Sequence, residues 1–298
     1  MTRPWPLLAV AALVAAACAA CSGPPADSGH AVVAVARSSP SQTPGEPGYL
    51  ALGDSIAFGW RPLPSVADYR NQADFTAYPE DLAETLKLNV VNAACPGETT
   101  ASMINPGAPS NGCETNARGG PGYRTFAPLH VGYRGSQLSF AVWYLQQHPD
   151  TELVTVGIGA NDLFRCQALT PGHCAGAELV QTLAEVTQNL DTILSDLRFQ
   201  AGYQNTLVVV LYYANNYADP ASVAPIQALD GALTGPARRY GALLADGFDA
   251  FRLASIQTDG NTCAAGLRVK LADGGCDLHP SAYGQQVLAT AVREAIGS

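Results

Sequence analysis

Strand-length apolar runs alternate with longer amphipathic segments through most of this chain, and this alternation constrains its fold more than any other feature. The predicted strands are residues 49–52, 89–93, 153–158, 206–212 and 243–246. The predicted helices are residues 74–88, 136–147, 177–201, 224–240 and 281–296. Strands that are separated by helices form a parallel sheet with helices on both faces. The sequence therefore predicts an α/β fold.

The first 21 residues have the pattern of an export signal. Arg3 is their only charged residue, and the apolar stretch at 7–17 is shorter than the ~20 residues that a membrane helix needs. Small residues precede Cys21, as at a bacterial lipoprotein cleavage site. We expect a secreted or cell-envelope protein, and the sequence leaves open whether Cys21 carries a lipid anchor.

Residues 22–47 are rich in Pro, Ser, Gly and Ala and carry almost no large apolar side chains. Such a segment buries too little surface to order itself, so it is predicted to be a disordered linker. Residues 48–298 are predicted to form one domain, which we expect to be monomeric. The net charge of −9 argues against nucleic acid or an anionic membrane surface as a partner.

Six cysteines lie in the predicted domain. They are Cys95, Cys113, Cys166, Cys174, Cys263 and Cys276. An exported chain forms disulfides by default. Six cysteines allow 15 connectivities, and we favour pairing each cysteine with its sequence neighbour, because this closes short loops. Zinc is disfavoured, since this part of the chain has no Cys-x-x-Cys pair and no histidine at ligand spacing. We expect neither a metal nor a cofactor.

Polar residues follow three of the predicted strands. Ser55, Gly97 and Asn161 each lie two to four residues beyond an apolar run. The carboxyl ends of parallel strands meet at one edge of the sheet, where ligands bind. The sequence therefore predicts a functional site that is built from these three loops.

A serine hydroxyl is a weak nucleophile unless a neutral imidazole takes its proton. Among the five histidines, His30 lies in the low-complexity leader region, and those at positions 130, 148 and 173 have no carboxylate two or three residues before them. His279 follows Asp277 by two residues and is the one histidine in a suitable setting. We therefore predict that Ser55 is a nucleophile and His279 its base. The Ser55 and Gly97 N–H groups and the Asn161 side-chain amide are the predicted oxyanion donors, and together these groups indicate ester cleavage.

Four blocks of the sequence resemble the SGNH hydrolases, which are also called GDSL esterases and lipases. The blocks are Gly53-Asp54-Ser55 with Gly59, then Gly97, then Gly159-Ala160-Asn161-Asp162, and Asp277-Leu278-His279-Pro280. The resemblance implies a three-layer α/β/α sandwich with a flavodoxin-like parallel sheet, and metal-free hydrolysis of esters of lipids, small acyl groups or decorated glycans. The three cysteine pairs and the leader look like the secreted actinobacterial esterase and lipase branch.

One position departs from the family pattern. The family places its catalytic Asp three residues before the His, where this chain has Cys276, and Asp277 stands only two residues before His279. An imidazole needs an acceptor at Nδ1, and a backbone carbonyl serves almost as well as a carboxylate. We favour Asp277 as the third catalytic residue, with the Cys276 carbonyl as the alternative.

The expected function is that of an exported serine esterase or lipase. A glycan O-deacetylase with the same machinery and an inactive envelope binding module are the alternatives. The long segment 100–134, rich in Gly, Pro and Asn, is either a wall or lid of the site or a surface insertion. We also expect one aromatic residue among Phe58, Trp60 and Phe164 to contact the substrate.

Overall fold

The computed structural model describes residues 47–297. Five parallel strands form its central sheet in the order β2-β1-β3-β4-β5. They are β1 (Gly48–Gly53), β2 (Asn89–Asn92), β3 (Thr151–Gly157), β4 (Thr206–Val210) and β5 (Leu243–Ala245). This is the flavodoxin-like order, which reverses direction between β1 and β3. The predicted fold class is confirmed, whereas the predicted export signal (1–21) and linker (22–47) lie outside the described residues, except for residue 47.

Helices cover both faces of the sheet. They are α1 (Ser55–Phe58), α2 (Tyr78–Leu86), α3 (Thr100–Ile104), α4 (Gln137–Gln147), α5 (Ala160–Leu169), α6 (Ala177–Ser195), α7 (Pro220–Arg239), α8 (Gly247–Ala254) and α9 (Ala282–Ile296). The five predicted helices correspond to α2, α4, α6, α7 and α9. Helix α2 begins later than predicted because Pro79 is favoured in the first turn of a helix and Glu80 accepts a 2.9 Å hydrogen bond from Ala77 N just before it.

Side chains of the central strands point alternately to the two helical layers. On β1, Leu50 and Leu52 pack in the apolar cluster that includes α4, α6 and α7. Tyr49 and Ala51 pack in the second cluster, with α2, α8 and α9. All four side chains are fully buried. Burial on both faces explains why this strand reads as an unbroken apolar run.

A short antiparallel hairpin, which the sequence patterns did not predict, precedes α9. It consists of β6 (Arg268–Lys270) and β7 (Cys276–Pro280). The three disulfides are Cys95–Cys113, Cys166–Cys174 and Cys263–Cys276, and the last of them ties β7 to the preceding loop. Within residues 47–297, every helix is too short or too polar to cross a membrane.

Candidate active site

The turn after β1 sets the position of Ser55. Strand β1 ends at Gly53, and Asp54 caps the four-residue helix α1 by accepting a 2.9 Å hydrogen bond from Ile56 N at Oδ1. Gly53 has φ 149°, and a Cβ there would lie 2.4 Å from Gly157 O on the neighbouring strand. Glycine is required at this position because any side chain would push β1 and β3 apart. The tight turn leaves Ser55 at the edge of the sheet where β1 and β3 end.

His279 reaches Ser55 from the hairpin. Its Nε2 lies 2.9 Å from Ser55 Oγ, although the two residues are far apart in the sequence. Its Nδ1 is hydrogen-bonded to Asp277 Oδ1, which also accepts a 3.0 Å hydrogen bond from His279 N. With the Nδ1 proton donated to Asp277, Nε2 is free to accept the serine proton. The structure thus brings Ser55, His279 and Asp277 together, with the Asp277 carboxylate as the acceptor for Nδ1.

Asp277 is suited to stabilise a positively charged imidazole. Burial acts to raise its pKa, but the hydrogen bonds from the ring and the backbone N–H of His279 and the nearby charge of Arg268 outweigh that effect. The pKa of Asp277 therefore lies below its usual value, and the carboxylate remains ionised near neutral pH. A fixed negative charge beside Nδ1 favours the imidazolium that forms when His279 takes the serine proton.

Three hydrogen-bond donors converge near Ser55. Asn161 lies in the first turn of α5, and Gly97 lies in the turn after β2. Gly97 has φ 80°, and a Cβ on it would fall 2.3 Å from Gly112 Cα, so the chain requires glycine there. Within residues 47–297, the N–H groups of Ser55 and Gly97 donate to no protein acceptor. Both N–H groups are available to an oxyanion, beside the side-chain amide of Asn161.

Asp54 and Tyr212 support the oxyanion site, and neither role was predicted. Tyr212, just beyond β4, donates a 2.7 Å hydrogen bond to Asp54 Oδ2, which also accepts a 3.3 Å bond from Asn161 Nδ2. Burial raises the pKa of Asp54, and the hydrogen bond from Tyr212 partly offsets this. The position of Tyr212 at the end of the predicted strand 206–212 was the only signal in the sequence for its role.

A buried amide joins the nucleophile turn to the oxyanion loop. Gln137, at the start of α4, accepts from Gly53 N at 2.6 Å and donates to Gly53 O at 3.0 Å. Its amide nitrogen also donates to Glu98 Oε2 at 3.1 Å, and Ser102 Oγ donates to Glu98 Oε1 at 2.5 Å. Glu98 directly follows Gly97. The loop that carries one oxyanion donor is therefore anchored to the end of β1.

The Glu98 carboxyl makes the stability of the fold pH-dependent. Burial raises its pKa to about 7, against the opposing effect of the hydrogen bonds from Ser102 and Gln137. Between the two pKa values the Glu98 carboxyl is protonated in the folded state, whereas in the unfolded chain, where its pKa has the ordinary value of 4.5, it has lost its proton. The resulting stabilisation is fully present below about pH 4.5 and is lost as the pH rises through about 7.

We expect Glu98→Gln to lose less stability than the native chain between pH 5 and pH 8. The neutral amide imitates the protonated carboxyl, and the difference is on the order of 3 kcal/mol or less, since one pKa unit is about 1.4 kcal/mol. Urea unfolding at both pH values measures it. Glu294→Gln, at an exposed site on α9, is the matched control. Equal pH slopes for the native chain and Glu98→Gln would contradict the expectation.

An apolar cavity of about 340 Å³ opens beside the catalytic groups. Trp60 and Phe164 line it, and the Trp60 ring centroid lies 4.5 Å from that of His279. Phe58 is fully buried and packs in the core instead. The segment 100–134 forms one wall of the cavity. Its lining residues are Asn111, Gly112, Pro121, Gly122, Tyr123 and Phe126.

Among the residues that the structure describes, Cys95, Glu98 and Cys113 form the one group close enough to hold a metal ion. The two sulfur atoms are bonded to each other in a disulfide. They therefore lack the thiolate form that binds metals, and Glu98 alone does not make a site.

The sequence model that describes the GDSL-like lipase/acylhydrolase family matches residues 51–287 of this chain. This region contains Ser55, Gly97, Asn161 and His279. The chain belongs to this family, so the predicted resemblance to the SGNH hydrolases is confirmed. The prediction of a carboxylic ester hydrolase is confirmed at the level of the family. A comparison with curated protein sequences gave no match.

Solved structures share the fold over most of the chain. The acetylxylan esterase Axe2 from Geobacillus stearothermophilus has a TM-score of 0.50 and 18% identity, over 85% of this chain and 94% of its own. Phospholipase A1 from Streptomyces albidoflavus NA297 has a TM-score of 0.51 and 20% identity, over 84% and 99%. The lipase Lip_vut3 from a goat rumen metagenome has a TM-score of 0.52 and 14% identity, over 84% and 97%. At these identities the likeness shows a common fold.

Proposed function

We propose that this protein is an exported serine esterase that hydrolyses carboxylic esters through an acyl-enzyme on Ser55. The hydrogen-bonded series Asp277, His279 and Ser55 carries the proposal, with Nε2 2.9 Å from Oγ. Three potential oxyanion donors beside the nucleophile, from Ser55, Gly97 and Asn161, support it. This set of groups is what acyl transfer to a serine requires.

The first half of the reaction forms the acyl-enzyme. Ser55 Oγ attacks the ester carbonyl carbon while its proton passes to His279 Nε2. The carbonyl oxygen becomes negative and accepts hydrogen bonds from the Ser55 and Gly97 N–H groups and the Asn161 amide. When the tetrahedral intermediate collapses, the bond to the alcohol oxygen breaks. His279 gives its proton to that oxygen, and the alcohol leaves.

The second half regenerates the enzyme. Neutral His279 takes a proton from a water molecule, whose oxygen attacks the acyl carbon on Ser55. The same donors stabilise the second tetrahedral intermediate. Collapse breaks the bond to Ser55 Oγ, which recovers its proton from His279, and the carboxylic acid is released.

The cavity indicates an ester with an apolar substituent. Most of its wall is apolar, and its apolar side chains include Trp60, Tyr123, Phe126, Phe164 and Leu278. Burial of each CH₂ group of a substrate contributes about 0.8 kcal/mol. Affinity therefore rises with chain length until the cavity of about 340 Å³ is full. We infer that short and medium acyl esters are the preferred substrates.

An ester series from acetyl to palmitoyl tests this function. We expect kcat/KM to rise over the first members and to fall for chains that exceed the cavity. Phe164→Ala enlarges the cavity and should move the optimum to longer chains, whereas Phe199→Ala, at an exposed site far along the chain in sequence, should leave it unchanged. No turnover with any member of the series would contradict an esterase function.

A glycan O-deacetylase is the second candidate. The Trp60 and Tyr123 rings border the cavity, and aromatic faces of this kind accept sugar rings. The fold neighbour Axe2 is an acetylxylan esterase, which makes acetylated xylan a suitable probe. Acetate release from xylan with little turnover of lipophilic esters would favour this candidate. Binding of xylan without any ester cleavage would instead favour an inactive binding module.

Export is part of the proposal. Three disulfides within residues 47–297 support it, because such bridges persist in oxidising compartments. Together with the leader they also support a place in the secreted actinobacterial esterase and lipase branch. The mass of the mature N-terminus distinguishes a lipid anchor on Cys21 from a free secreted form. An intact leader on the mature protein would contradict export.

A further inference from the structure

Asn111 contacts the residues of two different oxyanion donors. Its backbone N–H donates to Gly97 O at 2.8 Å. Its side-chain Nδ2 donates to Asn161 Oδ1 at 2.9 Å. Gly97 follows β2, whereas Asn161 lies in the helix that follows β3. Asn111 therefore links two separate segments at the point where both approach the reacting carbonyl.

The orientation of the Asn161 amide decides whether it supports catalysis. The amide has an acceptor oxygen at one end and an NH₂ group with two donors at the other. Only the NH₂ end stabilises an oxyanion. Asp54 Oδ2 engages one NH₂ proton over a long 3.3 Å contact, and the 2.9 Å bond from Asn111 holds the oxygen end. The contact with Asn111 is the shorter of the two.

We propose that Asn111 is a positioning residue of the oxyanion hole, which holds the Asn161 amide with its NH₂ end towards the substrate. The hydrogen bond from Asn111 Nδ2 to Asn161 Oδ1 opposes rotation of the Asn161 amide. In a rotated amide, the NH₂ group of Asn161 would face the NH₂ group of Asn111, and two donors cannot form a hydrogen bond. The same bond polarises the amide and strengthens its N–H groups as donors. The inference rests on the proposed esterase function, since it concerns the same site.

The loop around Asn111 is held independently of the Asn111 side chain. The Cys95–Cys113 disulfide closes it, and Ser110 Oγ donates to Thr115 O at 2.6 Å. The backbone bond from Asn111 to Gly97 O does not involve the side chain either. Substitution of Asn111 should therefore leave the loop folded and remove only the contact with Asn161.

Asn111→Leu tests the inference, since leucine has a similar size and no donor. We expect kcat to fall about 10- to 100-fold with KM changed by less than about threefold, somewhat less than the 10² to 10³ lost with a whole oxyanion donor. In an Asn161→Ala background, the same substitution should lower kcat by less than about threefold. Asn105→Ala, at an exposed site earlier in this loop, should retain full activity.

The controls separate the possible failures. If the leucine variant has a lowered melting temperature, Asn111→Ala replaces it in the same comparison of the native and Asn161→Ala backgrounds. An unchanged kcat, an effect confined to KM, or an equal loss of kcat in both backgrounds would overturn the role of Asn111. If the native chain shows no ester turnover that depends on Ser55, the esterase function itself fails, and this result is distinct from all of those outcomes.

Discussion

Ser55→Ala will lower kcat for ester hydrolysis by about four to six orders of magnitude, the range seen when a serine enzyme loses a triad residue. The methyl side chain cannot form the acyl-enzyme. Loss of the Ser55 hydroxyl removes a single hydrogen bond, the one to His279, so the fold should remain intact. Steady-state hydrolysis of a short acyl ester and the melting temperature measure the two effects.

Ser139→Ala is the matched control. Ser139 is exposed on α4, where its hydroxyl donates to Ser136 O at 2.8 Å. This variant should retain full activity. A serine-directed phosphonate should label Ser55 in the native chain and in Ser139→Ala, but not in Ser55→Ala. Full turnover in Ser55→Ala, or labelling of a different serine, would rule out Ser55 as the nucleophile.

Asp277→Asn should lower kcat by up to about 10⁴, as the equivalent change does in serine proteases. The asparagine NH₂ can face Nδ1 of His279, which then carries its proton on Nε2 and cannot accept one from Ser55. Loss of the negative charge also destabilises the imidazolium. The ratio of kcat between the variant and the native chain measures the effect, and His279→Ala provides the inactive reference.

The size of this loss separates the two possible acceptors. If the Cys276 carbonyl orients His279, Asp277→Asn should reduce kcat by no more than about tenfold. Asp273→Asn is the matched control, since Asp273 is exposed on the same hairpin and only caps the turn through Gly275 N, at 2.9 Å. An active His279→Ala variant would contradict both forms of the mechanism.

The sheet and the edge that carries the site were predictable from local sequence. Buried parallel strands read as apolar runs, and all five predicted runs overlap the observed strands. Residues just beyond such runs meet at one edge, and the structure brings Ser55, Gly97 and Asn161 together there. The position of each residue just after a predicted strand was sufficient to place it in the site, because the loops after parallel strands all lie at the same edge of the sheet.

The elements around His279 were not predictable in the same way. Strand β6 (Arg-Val-Lys) has only three residues, and β7 (Cys-Asp-Leu-His-Pro) has five and ends in a proline, so the alternation of polar and apolar residues is too short to predict a strand. Helix α5 is short and partly polar, and it begins with the block that was read as a loop. The hairpin depends on the Cys263–Cys276 bridge and on packing against α9, which no local pattern encodes.

The supporting contacts of the site are also long-range. Tyr212 reaches Asp54 from beyond β4, and Asn111 reaches Asn161 from the wall segment. Single side chains of common types form these contacts, and their roles depend on the three-dimensional arrangement of distant segments. The contact between Asp277 and Nδ1 of His279 also depends on the three-dimensional structure, because the backbone conformation of the hairpin brings the carboxylate to the ring.

The Gln137 amide has a consequence for how this enzyme can change. The amide forms hydrogen bonds with both backbone groups of Gly53 and with one oxygen of Glu98. These bonds fix the nucleophile turn and the oxyanion loop relative to each other and to the sheet. Trp60 and Phe164 line the cavity from segments outside these contacts. Selectivity can therefore be redesigned by substitutions at Trp60 and Phe164 while the nucleophile turn and the oxyanion loop keep their positions.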